Sequence, residues 1–404
     1  MKSTQIRRVF EIVNGGTPTS ADDYWGGSVQ WATPVDLGAA NGSILLETQR
    51  TLTPTGLLMG SRTVPKASLI LATRAPIGYV VETSVETAFN QGCRGLVPNP
   101  LAHARFYRYV LSAFESKLKS LGQGSTFIEL STEDLASLEV PLPPLESQRA
   151  IASYLDKETA RIDALIEKKQ RMAELFRQRI VCQANTAIRT ADGAKLTGIP
   201  SLPTVPKDWS VLRNKVFMRE TTEMSIDGTE EMLSVSHLTG VTPRSEKTVY
   251  MFEAESTIGY KRVQPGDLVI NTMWAWMGAA GVAKVSGIVS PAYGVYSLNR
   301  DVALPEFIDI VIRTPAYVTE MTRFSRGVTS SRLRLYPYDF LSLRTPVPSM
   351  KIQKDIVESI SNSTATSNVL IKNLTSQVGL LLERRQALIT AAVTGQLEIP
   401  GVAA

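Results

Sequence analysis

Histidine and cysteine are nearly missing from this chain of 404 residues: His103 and His237 are its only imidazoles, Cys93 and Cys182 its only thiols. Neither histidine sits near a cysteine or carboxylate at metal-ligand spacing, so a zinc site is not expected and both are assigned as hydrogen-bonded structural residues. Two cysteines 89 positions apart build no disulfide framework, and reduced thiols are the simpler expectation. No apolar run approaches the ~18 residues of a spanning helix, and the opening MKSTQIRRVF lacks the apolar stretch of a secretory signal. A cytoplasmic protein is expected. Nucleotide-loop, dinucleotide and nucleophile-elbow motifs are absent too. Gly122-Gln123-Gly124-Ser125 is too short and has no lysine, and Asn99-Pro100 continues with Leu101 rather than the Pro-aromatic pair of amino-methyltransferases. Binding rather than catalysis is the expected role.

What is present is a balanced globular composition. Hydrophobic residues make up 43%, the mean hydropathy is -0.01, and net charge is +5 with a pI near 9.1. That mild basic bias permits an anionic partner without identifying one. The length allows two to four domains, each able to bury a core.

The chain repeats itself. Pro141-Leu142-Pro143 leads into Gln148, Ile151 and Leu155, and 205 positions on, Pro346-Val347-Pro348 leads into Gln353, Ile356 and Ile360. Leu130, Asp134 and Leu138 fall on Leu335, Asp339 and Leu343 at the same offset. Further back, LILATRAPIG at 69–78 resembles LVINTMWAWMG at 268–278. A period of about 200 residues is far too long for a solenoid. Each copy is therefore a domain with an appended element, and pseudo-symmetry is expected.

Residues 1–140 and 209–345 have the texture of α+β domains, with short apolar runs punctuated by Pro, Gly and polar clusters. Helices are predicted over 103–119 and 305–324. The segments 141–189 and 346–395 differ: long stretches without Pro or Gly carry apolar residues at a and d spacing. About 40 residues at ~1.5 Å each give rods of roughly 60 Å. Ile151, Leu155, Ile162, Leu165 and Phe176 in the first, and Ile356, Ile360, Leu370, Leu374 and Leu381 in the second, form the candidate packing faces. Each stripe needs a partner, either the other rod or its own globe. Residues 190–208 have linker composition, and 396–404 form a tail.

A basic surface recurs. Residues 323–334 (RFSRGVTSSRLR) set Arg323, Arg326, Arg332 and Arg334 among hydroxyls, Ser330 and Ser331 included. The corresponding place in the first copy holds Lys117, Lys119, Gln123, Ser125 and Thr126. Guanidinium forks suit phosphates and guanine edges, and hydroxyls add phosphate contacts. Arg74, Trp274 and Trp276 complete the candidates for nucleic-acid contact, core packing being the other role open to the two tryptophans.

The sequence PLPPLESQRAIA at 141–152 resembles the Pro-Leu-Pro-Pro-Leu-x-x-Gln lead-in to the helix of type I restriction-modification specificity subunits. LLERRQALITAAVTG at 381–395 is similar to that family's C-terminal helix end. With the duplication, the resemblance spans essentially the whole chain. It implies two target-recognition domains separated by two long antiparallel helices with pseudo-two-fold symmetry, binding a bipartite, asymmetric double-stranded DNA target. It also implies docking of two methyltransferase subunits and of restriction and translocase subunits. S-adenosylmethionine, ATP and Mg are then expected in those partners, with no cofactor, metal or catalytic residue in this chain. The second junction has Ser349-Met350 where the family favours Pro-Leu, and the first copy lacks the Pro-x-x-Trp start seen at 206–209, implying a late or shortened opening. A coiled-coil protein adaptor and a self-sufficient methyltransferase or nuclease are the other classes left open.

Overall fold

The computed structural model describes residues 2–123, 128–187, 194–246, 256–329, 332–400 and 402. The chain divides into two compact units, residues 1–170 with 376–404, and residues 171–375. Both long helices are therefore shared between units, a partition that cuts across the sequence boundaries at 141, 190 and 346.

In the first unit a five-stranded sheet runs in the order Phe10–Asn14, Cys93–Pro98, Leu69–Ala72, Val80–Thr83, Ile44–Leu45. Its central strand Leu69–Ala72 is buried on both faces. One face meets the helix Ala104–Ala113, whose Phe106, Tyr107, Val110 and Leu111 are buried. The predicted helix over 103–119 breaks at Phe114 into two pieces, Ala104–Ala113 and Glu115–Ser120. A second sheet, Arg50–Leu52, Trp25–Ala32, Thr87–Phe89, Thr63–Val64, completes the unit's strands together with a short pair. That pair joins Ser3–Gln5 to Glu139–Pro141 in antiparallel register, Ser3 opposite Pro141. The opening strand, which the missing Pro-x-x-Trp signature left in question, is thus present, because backbone pairing needs no particular side chains there.

The second unit repeats the inner sheet. Met218–Glu220, Gly294–Leu298, Leu268–Ile270 and Ala280–Val282 follow one another in that order, all antiparallel. Ser210–Arg213 pairs with Arg344–Val347 as Ser3–Gln5 does with Glu139–Pro141. The helix predicted over 305–324 is two helices, Pro305–Ile312 and Pro315–Phe324. Pro315 cannot continue the first and suits the first turn of the second, where Thr314 accepts a hydrogen bond from Tyr317 N.

Residues 194–206, expected as linker, form a hairpin of Ala194–Ile199 and Leu202–Pro206. Ile199, Leu202 and Val205 are buried in the second unit's core with Trp209. The expected tail likewise packs down: Ile399 is buried in the first unit's core and Leu397 and Val402 lie against it.

The two long helices are Leu145–Ala187 and Met350–Thr394. Gln148, fully buried, fixes the start of the first: its Oε1 accepts from His103 N at 2.8 Å, and its Nε2 donates to Leu101 O at 2.9 Å and Pro143 O at 3.0 Å. Gln353 does the same for the second helix, with Leu304 N at 2.8 Å, Val302 O at 3.0 Å and Pro348 O at 2.9 Å. Charge adds a clamp in the first unit. Asp156 accepts from Tyr109 Oη (2.7 Å), Arg105 Nη1 (3.1 Å) and Arg108 Nη2 (3.3 Å), and both arginines also pair with Glu82.

Within the first unit the helices run antiparallel, because Asp163 accepts from Arg385 (2.9 Å) while Lys169 donates to Gln377 (2.6 Å). In the second, Ser363 donates to Gln183 at 2.6 Å. Ile162 and Leu374 are buried, Phe176, Ile360 and Leu381 half-buried, and Ile356 packs against the second unit's core. Ile151 and Leu155 sit in one cluster with the first globe and the helix end Ile389, Ala392 and Val393, so the stripe meets both candidate partners at once. Two packing assignments fail. Leu165 is 42% exposed while Ile166 is 9%, and Leu370 is exposed while Ser367 is buried. At 3.6 residues per turn the seam runs on from Ile162 through Ile166 and Ala173 rather than through the apolar but outward-facing Leu165 and Met172.

Among the described residues no helix is long and apolar enough to cross a membrane, and no group of three or more His, Cys, Asp or Glu could hold a metal ion. His103 departs from the hydrogen-bonded role expected: its buried Nδ1 has no partner among the described residues, and burial lowers its pKa.

Candidate nucleic-acid interface

In each unit the basic segment follows a short helix, and its two described flanks pair with each other beside the inner sheet. In the first, Gln123 and Glu129 exchange both backbone hydrogen bonds at 3.0 Å, and Leu130 N then donates to Thr73 O at 2.9 Å. In the second, Arg326 N donates to Arg334 O (2.9 Å), Arg334 N to Arg326 O (2.8 Å), and Leu335 N to Thr272 O (2.9 Å). The side chains follow suit. Gln123 Nε2 donates to Asp134 at 3.2 Å, and Arg326 Nη2 to Asp339, 205 positions further, at 2.7 Å. The two loops are thus equivalent in construction, and Gln123 stands where the second copy has Arg326. Gly327 lets the second loop close: a Cβ there would lie 2.5 Å from Arg332 O.

Loop chemistry differs between the copies. At the returning position the first unit has Glu129, which accepts ion pairs from Arg74 (3.7 Å) and Arg94 (3.6 Å), whereas the second has Arg334, its guanidinium 5.5 Å from the Tyr336 ring centre. Arg332 and Arg334 are exposed. Two other arginines are committed within the protein. Arg323 pairs with the buried Glu320 at 3.0 Å, and Arg326 with Asp339, whose carboxylate raises the guanidinium pKa. These contacts position the loop, a role that counting arginines in the sequence does not distinguish from reading bases. Lys119 is exposed but bonded to Glu115 at 2.6 Å, and Lys117 lies over the Phe114 ring. Ser125, Thr126, Ser330 and Ser331 lie outside the described residues.

The tryptophans separate. Trp276 is half-buried and donates to Met273 O at 3.1 Å, but Trp274 is 51% exposed, which rules out the core-packing role for it. Sequence reasoning missed Arg94 and Glu129, for which only their spacing to Arg74 across a strand pair could have been a signal. It also missed Met273 and Met277, exposed beside Trp274.

Residues 1–175 match the family model of the type I restriction modification DNA specificity domain. That match covers the first unit's globe and most of the first long helix, and the chain is similar to type I restriction enzyme specificity subunits over much of its length. Relatives include the type I restriction enzyme MjaIX specificity subunit of Methanocaldococcus jannaschii, 33% identical over 176 residues, covering 43% of this chain and 40% of that protein. The EcoKI specificity subunit of Escherichia coli strain K12 is 22% identical over 370 residues, 85% of this chain and 78% of its own length. Against the MjaIX relative, then, the matched part is less than half of the curated protein. A solved chain from work on complex assembly and conformational transition of the type I R-M system superposes with a TM-score of 0.72 at 15% identity, covering 98% of both chains, which shows a shared fold. The mixed α/β architecture with long helices described above is therefore shared with that chain.

Proposed function

We propose that this chain is the DNA-reading, non-catalytic subunit of a type I restriction-modification enzyme, each of its two units contacting one half of an interrupted, asymmetric duplex target. The observation that carries this reading is the equivalent loop in both units, closed onto Asp134 in one and Asp339 in the other, with cationic side chains around each. Arg332 and Arg334 in the second unit, and Arg74 and Lys117 in the first, face a partner with phosphate and base-edge acceptors, while Gln123 holds its segment through Asp134. Arg323 and Arg326 hold the loop. The pseudo-two-fold arrangement expected of a duplicated chain is part of the proposal, the two long helices setting the distance between half-sites. Their exposed apolar residues, such as Leu165, Met172 and Leu370, suit helical partners, and the partners proposed are two methyltransferase subunits with restriction subunits beyond them. S-adenosylmethionine, ATP and Mg belong to those subunits in this scheme, and the assembly works in the cytoplasm.

Binding to a duplex over a range of salt concentrations tests it. Phosphate contacts release counterions, so the logarithm of affinity falls steeply with the logarithm of salt. A flat dependence, or no binding, would favour a protein adaptor.

A further inference from the structure

Met273, Trp274 and Met277 are 44%, 51% and 36% exposed on a single short turn after the strand Leu268–Ile270. Three large apolar side chains side by side in water are uncommon on a protein surface that nothing covers. The turn is held firmly. Trp274 N donates to Asn271 O at 3.0 Å, Met277 N to Trp274 O at 3.0 Å and Ala279 N to Trp274 O at 3.1 Å, and Gly278 closes it at a left-handed φ of 81°. Trp276 folds back onto Met273 O, leaving Trp274 as the outward indole.

This apolar knob belongs structurally to the arginine loop. Thr272 O, at its start, accepts from Leu335 N at 2.9 Å, the residue after Arg334, and Trp276 O accepts from Thr322 Oγ1 at 3.3 Å, the residue before Arg323. Arg323 and Arg334 are thereby held next to the turn, Arg323 paired with Glu320 and Arg334 exposed, its charge favouring a polyanion. The equivalent turn of the first unit, after Leu69–Ala72, has Arg74 ion-paired with Glu129 instead. The same place in the two units thus presents opposite chemistry.

We infer that the turn bearing Met273, Trp274 and Met277 is a specificity element that packs on the C5-methyl group of a thymine in the second unit's half-site. This rests on the DNA-reading role proposed above. On a duplex, the major groove displays donors and acceptors from every base pair, and its apolar group is the thymine methyl. An apolar knob beside the exposed Arg334 matches that one feature.

The test uses the full chain and its own target duplex, with each thymine of the second half-site replaced in turn by deoxyuridine, which lacks only the methyl group. One replacement is expected to weaken binding about fourfold, the scale of one buried methyl. Trp274→Ala should bind the thymine and deoxyuridine duplexes equally, and Trp274→Phe should restore the difference. The inference is overturned if every deoxyuridine duplex binds the wild-type chain like the parent, if the half-site contains no A·T pair, or if Trp274→Ala keeps the discrimination. The deoxyuridine series on the wild-type chain needs no variant, so a folding defect in Trp274→Ala cannot obscure the answer. Loss of the parent reading is recognised separately, as absence of salt-dependent binding to the unmodified target.

Discussion

Gln353 Oε1 accepts the backbone N–H of Leu304 at 2.8 Å, deep in the second unit, while its amide nitrogen satisfies Val302 O and Pro348 O. One side chain thereby closes three backbone groups where the long helix leaves the globe, and Gln148 does so in the first unit. Replacing either glutamine by leucine strands those groups, each unpaired buried one costing ~1 to 3 kcal/mol. Gln353→Leu and Gln148→Leu should each lower stability in equilibrium unfolding by at least ~2 kcal/mol, and Gln386→Ala, on an exposed position, should change it little. Equal stability for all three variants would mean the junctions are not fixed in this way.

The helix seam makes a sharper distinction. Ile166→Ala removes a buried side chain and should cost ~2 kcal/mol or more, as should Leu374→Ala. Leu165→Ala, one residue away but 42% exposed, should be within ~0.5 kcal/mol of wild type in the same denaturation series. The reverse ranking would place the seam on the other face.

Among the arginines, binding measured against salt should sort roles. Arg332→Ala or Arg334→Ala should reduce the slope of log affinity against log salt by about one each if they neutralise a phosphate, or relax a single base position if they read an edge. Arg323→Ala instead leaves the buried Glu320 without its cation and should lower thermal stability. A slope change with unchanged stability for Arg323→Ala would contradict the positioning role.

The two thiols should differ in reactivity. Cys93 is buried, and burial pushes its pKa up to about 12, whereas Cys182 is exposed. The thiolate is the reactive form, so Cys93 stays protonated throughout the working range below that value. Iodoacetamide at pH 8 should label Cys182 alone in the native protein and both residues in denaturant, as mass spectrometry of peptides would read.

Much of this architecture was legible in the chain because duplication leaves two independent copies of each signal. The junction prolines and Gln148 with Gln353 mark the same backbone problem solved twice, and Asp134 with Asp339 mark the same loop closure. Residues 194–206 were not legible. Gly198, Pro200, Pro203 and Pro206 give that hairpin the composition of a linker, while the alternation of Ile199, Leu202 and Val205 that buries it is too short to stand out. The seam was misassigned at Leu165 because apolar character alone does not fix helical phase, and Ile166 beside it is equally apolar. Arg326 stands among the candidates for nucleic-acid contact because the sequence shows its charge but not its pairing with Asp339, 13 residues on.

Mapping methylated bases in the genome of cells that express this chain with a matching methyltransferase tests the central claim most directly. The account predicts an asymmetric motif of two short half-sites whose centres lie about one helical turn, ~10 bp, apart, with unspecified positions between them. Exchanging residues 1–140 for another family member's domain should change one half-site and leave the other and the gap as they were. A single uninterrupted motif, or a change in both half-sites on that exchange, would contradict the division of recognition between the two units.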